Sequence, residues 1–234
     1  MAALPRLVLW LAWLMPAALL AEPMRVQLPE HRVLSSSETE SLEPALAEQL
    51  AGALGRPMQL VAEGAADADV RMLASDQRGG SSYYRAMPAA LVATEGGPAV
   101  WSDLRNQPVC ISSASPYSAL LSTRFAALPR EYPSAAHALI GLKLGECRAV
   151  VDDDVLLAQI AALPEWRRYK RLLPALSDAE RQLRLSSDDA GLQRQIDTFI
   201  ASWSAEGRLA KLTQQWIDEV AFQAYVLADT LDCH

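Results

Sequence analysis

Three consecutive aspartates, Asp152-Asp153-Asp154, follow the apolar run Arg148–Val151 and precede a helical pattern over Val155–Leu163. A carboxylate at a strand end can accept charge-assisted hydrogen bonds from a cationic group. The same residues can instead cap the following helix, where acidic groups also suit the dipole. A second polar turn, Ser112-Ser113-Ala114-Ser115-Pro116, follows the apolar run Pro108–Ile111. A hydroxyl and free N–H groups at a helix N-terminus suit an anion. Ser115 with Pro116 behind it reads equally as a plain helix start. Other chemistries leave no trace. The sequence has no G-x-S-x-G, no phosphate loop and no cysteine with a nearby histidine. No enzyme activity and no cofactor is therefore expected. His31, His137 and His234 show no ligand spacing with the cysteines, so no metal is expected either.

Strands and helices alternate around these turns. Strands are predicted at Met24–Leu28, Pro57–Val61, Asp69–Leu73 and Ala89–Ala93, with a helix over 41–54 that Gly55 stops. Ser35, Ser36 and Ser37 are N-cap candidates for that helix. After Glu95-Gly96-Gly97-Pro98 the rhythm restarts. Strands are predicted at Pro108–Ile111, Arg130–Tyr132, Arg148–Val151 and Gln182–Ser186. Helices are predicted at Tyr117–Ala127, 134–144, Val155–Leu163, 189–203 and 205–217, and the tail 218–234 reads as a further helix. Such alternation implies an α/β fold with parallel sheets. In open α/β sheets, ligands sit beyond the carboxyl ends of the strands. The turns 112–115 and 152–154 both lie there.

Composition narrows the partners. The 234 residues are 51% hydrophobic and 21% charged, which excludes a disordered tail or a disulfide-dense mini-protein. A net charge of −7 argues against a nucleic-acid partner, which needs a concentrated cationic surface. Arg6 precedes the uncharged run 7–21, which contains Pro16 and ends on small residues before Glu22-Pro23. That layout reads as a cleaved signal peptide, because a membrane-spanning helix needs about 20 apolar residues; an uncleaved membrane anchor is the alternative. A periplasmic location follows. In an oxidising compartment Cys110, Cys147 and Cys233 suggest one disulfide and one free thiol, with the pairing undetermined. Three buried thiols are the alternative.

A resemblance then emerges from Trp101-Ser102-Asp103-Leu104, PVCISSASPY, YPSAAHALIGLKLGECRAVVDDDVLL and DAGLQRQIDTFIASWSAEGRLAKLTQQW, in that order. These stretches resemble the periplasmic solute-binding proteins of the polar amino-acid transporter family (solute-binding protein family 3). The resemblance implies two α/β lobes, each a mostly parallel sheet flanked by helices, joined by hinge strands and closing over a ligand: a type II periplasmic-binding-protein fold. It divides the chain into a signal peptide at 1–21, the first lobe at 22–98, the second at 99–183, and a return to the first at 184–234. It implies a monomer that captures a small polar ligand, with amino acids as the expected class, for an inner-membrane ABC permease.

The same resemblance assigns site residues. Asp153 would bind the ligand's α-ammonium group. Ser115, with Ala114 in place of the usual glycine, would bind the α-carboxylate. Arg78, with Ser75 from the same turn, would hold that carboxylate from the first lobe. The first lobe is abridged, however. PEHRVLSSS stands where an aromatic-proline turn is usual, and only Ala62–Ala68 separates Val61 from Asp69. A partner-binding accessory protein on the same fold, such as those associated with quinoprotein dehydrogenases, is the alternative function; an enzyme on this fold, such as a cyclic dehydratase, and an unrelated α/β protein are further rivals.

Overall fold

The computed structural model describes residues 22–29, 42–62, 64–74, 79–113 and 115–231. The expectations for 1–21, Ser35–Ser37, Ser75, Arg78, Ala114 and Cys233 lie outside them. The chain forms ten strands and six α-helices among the described residues. The strands are β1 (Met24–Gln27), β2 (Met58–Val61), β3 (Val70–Ala74), β4 (Ser81–Ala86), β5 (Pro88–Val92), β6 (Pro108–Ser112), β7 (Leu128–Tyr132), β8 (Ala149–Asp153), β9 (Arg171–Leu173) and β10 (Arg181–Ser186). The helices are α1 (Leu42–Ala53), α2 (Ser118–Phe125), α3 (Ala135–Lys143), α4 (Asp154–Ala162), α5 (Ala190–Ala205) and α6 (Arg208–Leu231).

Two five-stranded sheets share one plan. The first runs β2-β1-β3-β10-β4 and the second β7-β6-β8-β5-β9. In the first, β1 pairs in parallel with β2 and β3, while β10 is antiparallel to β3 and β4. In the second, β6 pairs in parallel with β7 and β8, while β5 is antiparallel to β8 and β9. The antiparallel insert of each sheet is the strand that arrives from the other sheet. The chain crosses at Met87 into β5 and returns ahead of Arg181 into β10. The first crossing falls upstream of the boundary expected near 98, because β5 belongs to the second sheet.

Side-chain alternation explains the layers. In β5, Ala89 and Leu91 join a core with α3, α4 and the end of α6, while Ala90 and Val92 face a core with Trp101, Leu104 and Leu121. The central strands β6, β8 and β5 of the second sheet are thus buried on both faces, which is why they read as apolar runs. The first sheet puts Met24, Val26, Val70, Met72, Leu183 and Leu185 into one core against α1 and α5. The intervening Arg25, Arg71 and Arg184 are only half-buried, so β3 and the end of β10 alternate, whereas Gln27 in β1 and the adjacent Tyr83 and Tyr84 in β4 are buried out of that pattern.

Strands β2 and β3 flank β1, and the described residues of the 62–68 connection between them form no helix. Charges hold it down instead. Asp67 pairs with Arg25, and Asp69 accepts from the Arg25 backbone N–H at 3.0 Å and from Arg56 at 2.8 Å.

Two differences from the sequence reading affect the lobes. The stretch expected as a helix at 205–217 and a separate tail is one 24-residue helix, α6. It does not return wholly to the first lobe. Leu209 and Leu212 pack on the first core, Ile217, Val220 and Ala224 are buried in the second, and Trp216 packs against both. Strands β4 and β9 were also unforeseen: β4 carries the mixed sequence SSYYRA, and β9 has only three residues.

Candidate functional site

The two crossings bring four side chains together. Asp153 ends β8 and lies opposite Pro88 of β5, just past the first crossing. Arg181 begins β10 and lies opposite Ala86 of β4, just before it. Only Met87 separates Ala86 from Pro88, so strand register alone sets the aspartate near the arginine. Tyr84 reaches in from β4, and Tyr117 from the turn that opens α2.

Asp153 is 1% exposed. Its Oδ2 accepts the Tyr84 hydroxyl at 2.9 Å, and its Oδ1 accepts the Tyr117 hydroxyl. Arg181 Nη2 lies 3.3 Å from Oδ1 and 3.5 Å from Oδ2. Arg181 Nε donates to the Tyr117 hydroxyl oxygen at 3.2 Å, and the guanidinium carbon stands 5.3 Å from that ring's centre. Behind Tyr84, the Trp216 ring meets it edge-on at 6.1 Å. A buried carboxylate is tolerable only when paired and hydrogen-bonded, and here a cation and two phenols do both. Burial first, and then the Asp153 charge, push the Tyr117 phenol far above its ordinary range. Tyr117 therefore keeps its proton and donates a hydrogen bond to Asp153.

The neighbouring aspartates do different work. Asp152 Oδ1 accepts the Asp153 N–H at 2.7 Å. Asp154 Oδ1 accepts the Met87 N–H, and the Asp154 N–H donates to the Met87 carbonyl, both at 2.8 Å. Asp154 thus clamps the crossing residue. The capping expected of this triplet is not what it does: Asp153 holds the N-cap position of α4 but makes no side-chain cap bond.

No protein-family model matches the chain, and no curated protein matches it. Solved structures do. A mutant of ArgBP from T. maritima superposes with a TM-score of 0.59 at 18% identity, over 83% of this chain and 95% of that one. An ancestral amino-acid-binding protein, described as a precursor of cyclohexadienyl dehydratase, gives 0.61 at 17% identity, over 83% and 95%. An arginine transport-system periplasmic binding protein from Legionella pneumophila gives 0.57 at 14% identity, over 84% and 100%. The chain has the two-lobed type II periplasmic-binding-protein fold. At these identities the likeness is one of fold.

In this type II fold, Asp153 stands where the two sheets meet. Ser115 sits in the turn after β6, but it does not cap α2 from the expected position. The helix starts at Ser118 with Tyr117 as N-cap, and Ser115 Oγ accepts the Tyr117 N–H at 3.3 Å. Ser115 is thereby tied to Asp153 through Tyr117. Arg78, Ser75 and Ala114 lie outside the described residues. Sequence reasoning missed Tyr84, Tyr117 and Arg181 as members of this cluster. Tyr117 could have been suspected, since it directly follows the post-strand turn. Nothing local distinguishes Arg181.

The second lobe holds the disulfide. Cys110 of β6 is bonded to Cys147, which precedes β8, with their Cα atoms 5.7 Å apart. The alternative of three free thiols is excluded. Gly141 lets α3 approach this bridge closely: a Cβ there would lie 2.6 Å from the Tyr132 ring and 2.9 Å from Cys110 Sγ. Nearby, Tyr132 donates to Glu146. Burial, and then that hydrogen bond, push the Tyr132 phenol up to about 12.

The sequence reading also passed over the run Arg167-Arg168-Tyr169-Lys170-Arg171, a local basic cluster on an acidic chain. Its Arg167, Arg168 and Tyr169, together with Lys143, Pro164 and Glu165, line a surface cavity of about 400 Å³. Among the described residues, no helix is long and apolar enough to cross a membrane. None of their acidic, histidine and cysteine side chains form a group of three that could hold a metal ion.

Proposed function

We propose that this protein captures a small polar solute between its two lobes in the periplasm and delivers it to an inner-membrane ABC permease. The observation that supports this reading is the meeting of Asp153 and Tyr117 of the second lobe with Tyr84 and Arg181 of the first at the crossing. Polar side chains that converge from two lobes let a ligand report on lobe position. Residues 1–21 direct export as a cleaved signal peptide. Ser115 and the turn around Ala114 contribute from the second lobe, and Arg78 and Ser75 from the first. The structural relatives carry amino-acid ligands in their descriptions, so amino acids are the first class to test. The protein acts as a monomer and without catalysis.

One observation favours the second reading, an accessory protein that binds a partner instead of a solute. Helix α6 packs on both cores, which resists hinge motion.

A thermal-shift series on the purified mature chain separates the two. A rise in melting temperature with an amino acid or another small polar solute supports capture. No rise with any of them, together with unchanged scattering dimensions, supports the accessory reading.

A further inference from the structure

The Asp153 cluster has the makings of a cation site. A carboxylate buried to 1% exposure accepts from two phenols, and the Tyr117 ring offers a face at 5.3 Å. A carboxylate beside an aromatic face suits a guanidinium or an ammonium. The cation that fills this site belongs to the chain itself: the Arg181 guanidinium, whose side chain is 13% exposed.

We infer that Arg181 is a tethered occupant of the cation site built by Asp153, Tyr117 and Tyr84, and that it sets solute specificity by excluding solutes that carry an ammonium group. The second half of this inference rests on the solute-capture reading above; the first half does not. The physical argument is competition. A group fixed by β10 meets Asp153 at a high effective concentration and loses little further entropy on binding. A free ammonium must displace it and take the Asp153 carboxylate from a guanidinium that stays mostly buried. That costs more than the exchange returns. Solutes without a cation face no such contest. The cleft therefore selects carboxylates or neutral polar molecules over the corresponding α-amino acids.

The test begins with Arg181→Ala, which removes this cation from the site. Millimolar methylguanidinium should raise the melting temperature of this variant, by mass action on the folded state. It should leave wild type and the Asp153→Asn/Arg181→Ala double variant unmoved at matched ionic strength. Where Arg181→Ala is unfolded alone, the readout is recovery of its native circular dichroism on adding the cation. An absent response, or an equal response in the double variant, overturns the proposal.

Wild type is then titrated with pairs that differ by one amine: propionate and alanine, glutarate and glutamate. Wild type should prefer the deaminated member, and Arg181→Ala should shift the ratio toward the amino member by at least about tenfold. A wild type that binds the amino member about tenfold tighter overturns the specificity assignment while upholding solute capture. Rescue by methylguanidinium without solute binding to either protein upholds the tethered occupant and overturns solute capture.

Discussion

The hydroxyl of Tyr84, on the first sheet, donates at 2.9 Å to the carboxylate of Asp153, on the second. This bond spans the crossing between the lobes. Both residues are buried, at 6% and 1% exposure, so water does not compete for either partner. Tyr84→Phe removes the donor and keeps the ring against Trp216. Hydrogen bonds to charged groups contribute about 1.5–3 kcal/mol. Denaturant unfolding of this variant should show a loss in that range with an unchanged m-value.

Removing the acid itself should cost more. Asp153→Asn removes the carboxylate that pairs with the mostly buried Arg181 guanidinium. Breaking a buried pair from one side costs about 3–5 kcal/mol. The double variant Asp153→Asn/Arg181→Met should recover much of this loss, since it buries no charge. A double variant as unstable as the single one contradicts the pairing.

The cluster also sets an alkaline limit. The folded state holds the Tyr117 proton well above the ordinary phenol value near 10. Below that value both folded and unfolded chains are protonated, and the stabilisation is fully present. Above it the unfolded chain loses the proton first, so stability falls as pH rises. Denaturation midpoints should be level up to about pH 10 and decline beyond. Tyr117→Phe should be less stable at neutral pH but lose less of that stability above pH 10.

The Cys110–Cys147 bridge closes a loop with a sequence separation of 37. Loop-closure arguments give about 3–4 kcal/mol for such a length. Cys110→Ala/Cys147→Ala should lower stability by that amount, and reduction of wild type should match it. Gly141→Ala should also destabilise, by about 1–3 kcal/mol, since its methyl would press on Tyr132 and the bridge.

Helix α6 predicts how the lobes unfold. Trp216 packs against both cores. Wild type should unfold in a single calorimetric transition. Trp216→Ala should cost up to about 3–5 kcal/mol and separate that transition into two. One sharp transition in the variant would mean that the crossings alone couple the lobes.

Much of the fold was legible in one dimension because its signals are local. Apolar runs bounded by turn residues marked β5, β6 and β8, and helical spacing marked α1, α3 and α5. The abridged first lobe was also readable, since Ala62–Ala68 is too short to contain a crossover helix. β4 was not readable, because SSYYRA owes its strand to pairing with β10 and not to its own alternation. The unity of α6 was hidden as well, because its buried side changes partner from one core to the other near Trp216.

The sequence by itself determined that an acidic triplet ends an apolar strand, next to a helix and ahead of a long C-terminal segment. Only the tertiary structure decided what Asp153 faces. Tyr84, Tyr117 and Arg181 are distant from it along the chain, and no local pattern links them. They meet because β5 and β10 each cross into the other sheet, and strand register then sets Pro88 opposite Asp153 and Ala86 opposite Arg181. Charge pairing in a buried site depends on spatial proximity, which sequence spacing does not encode.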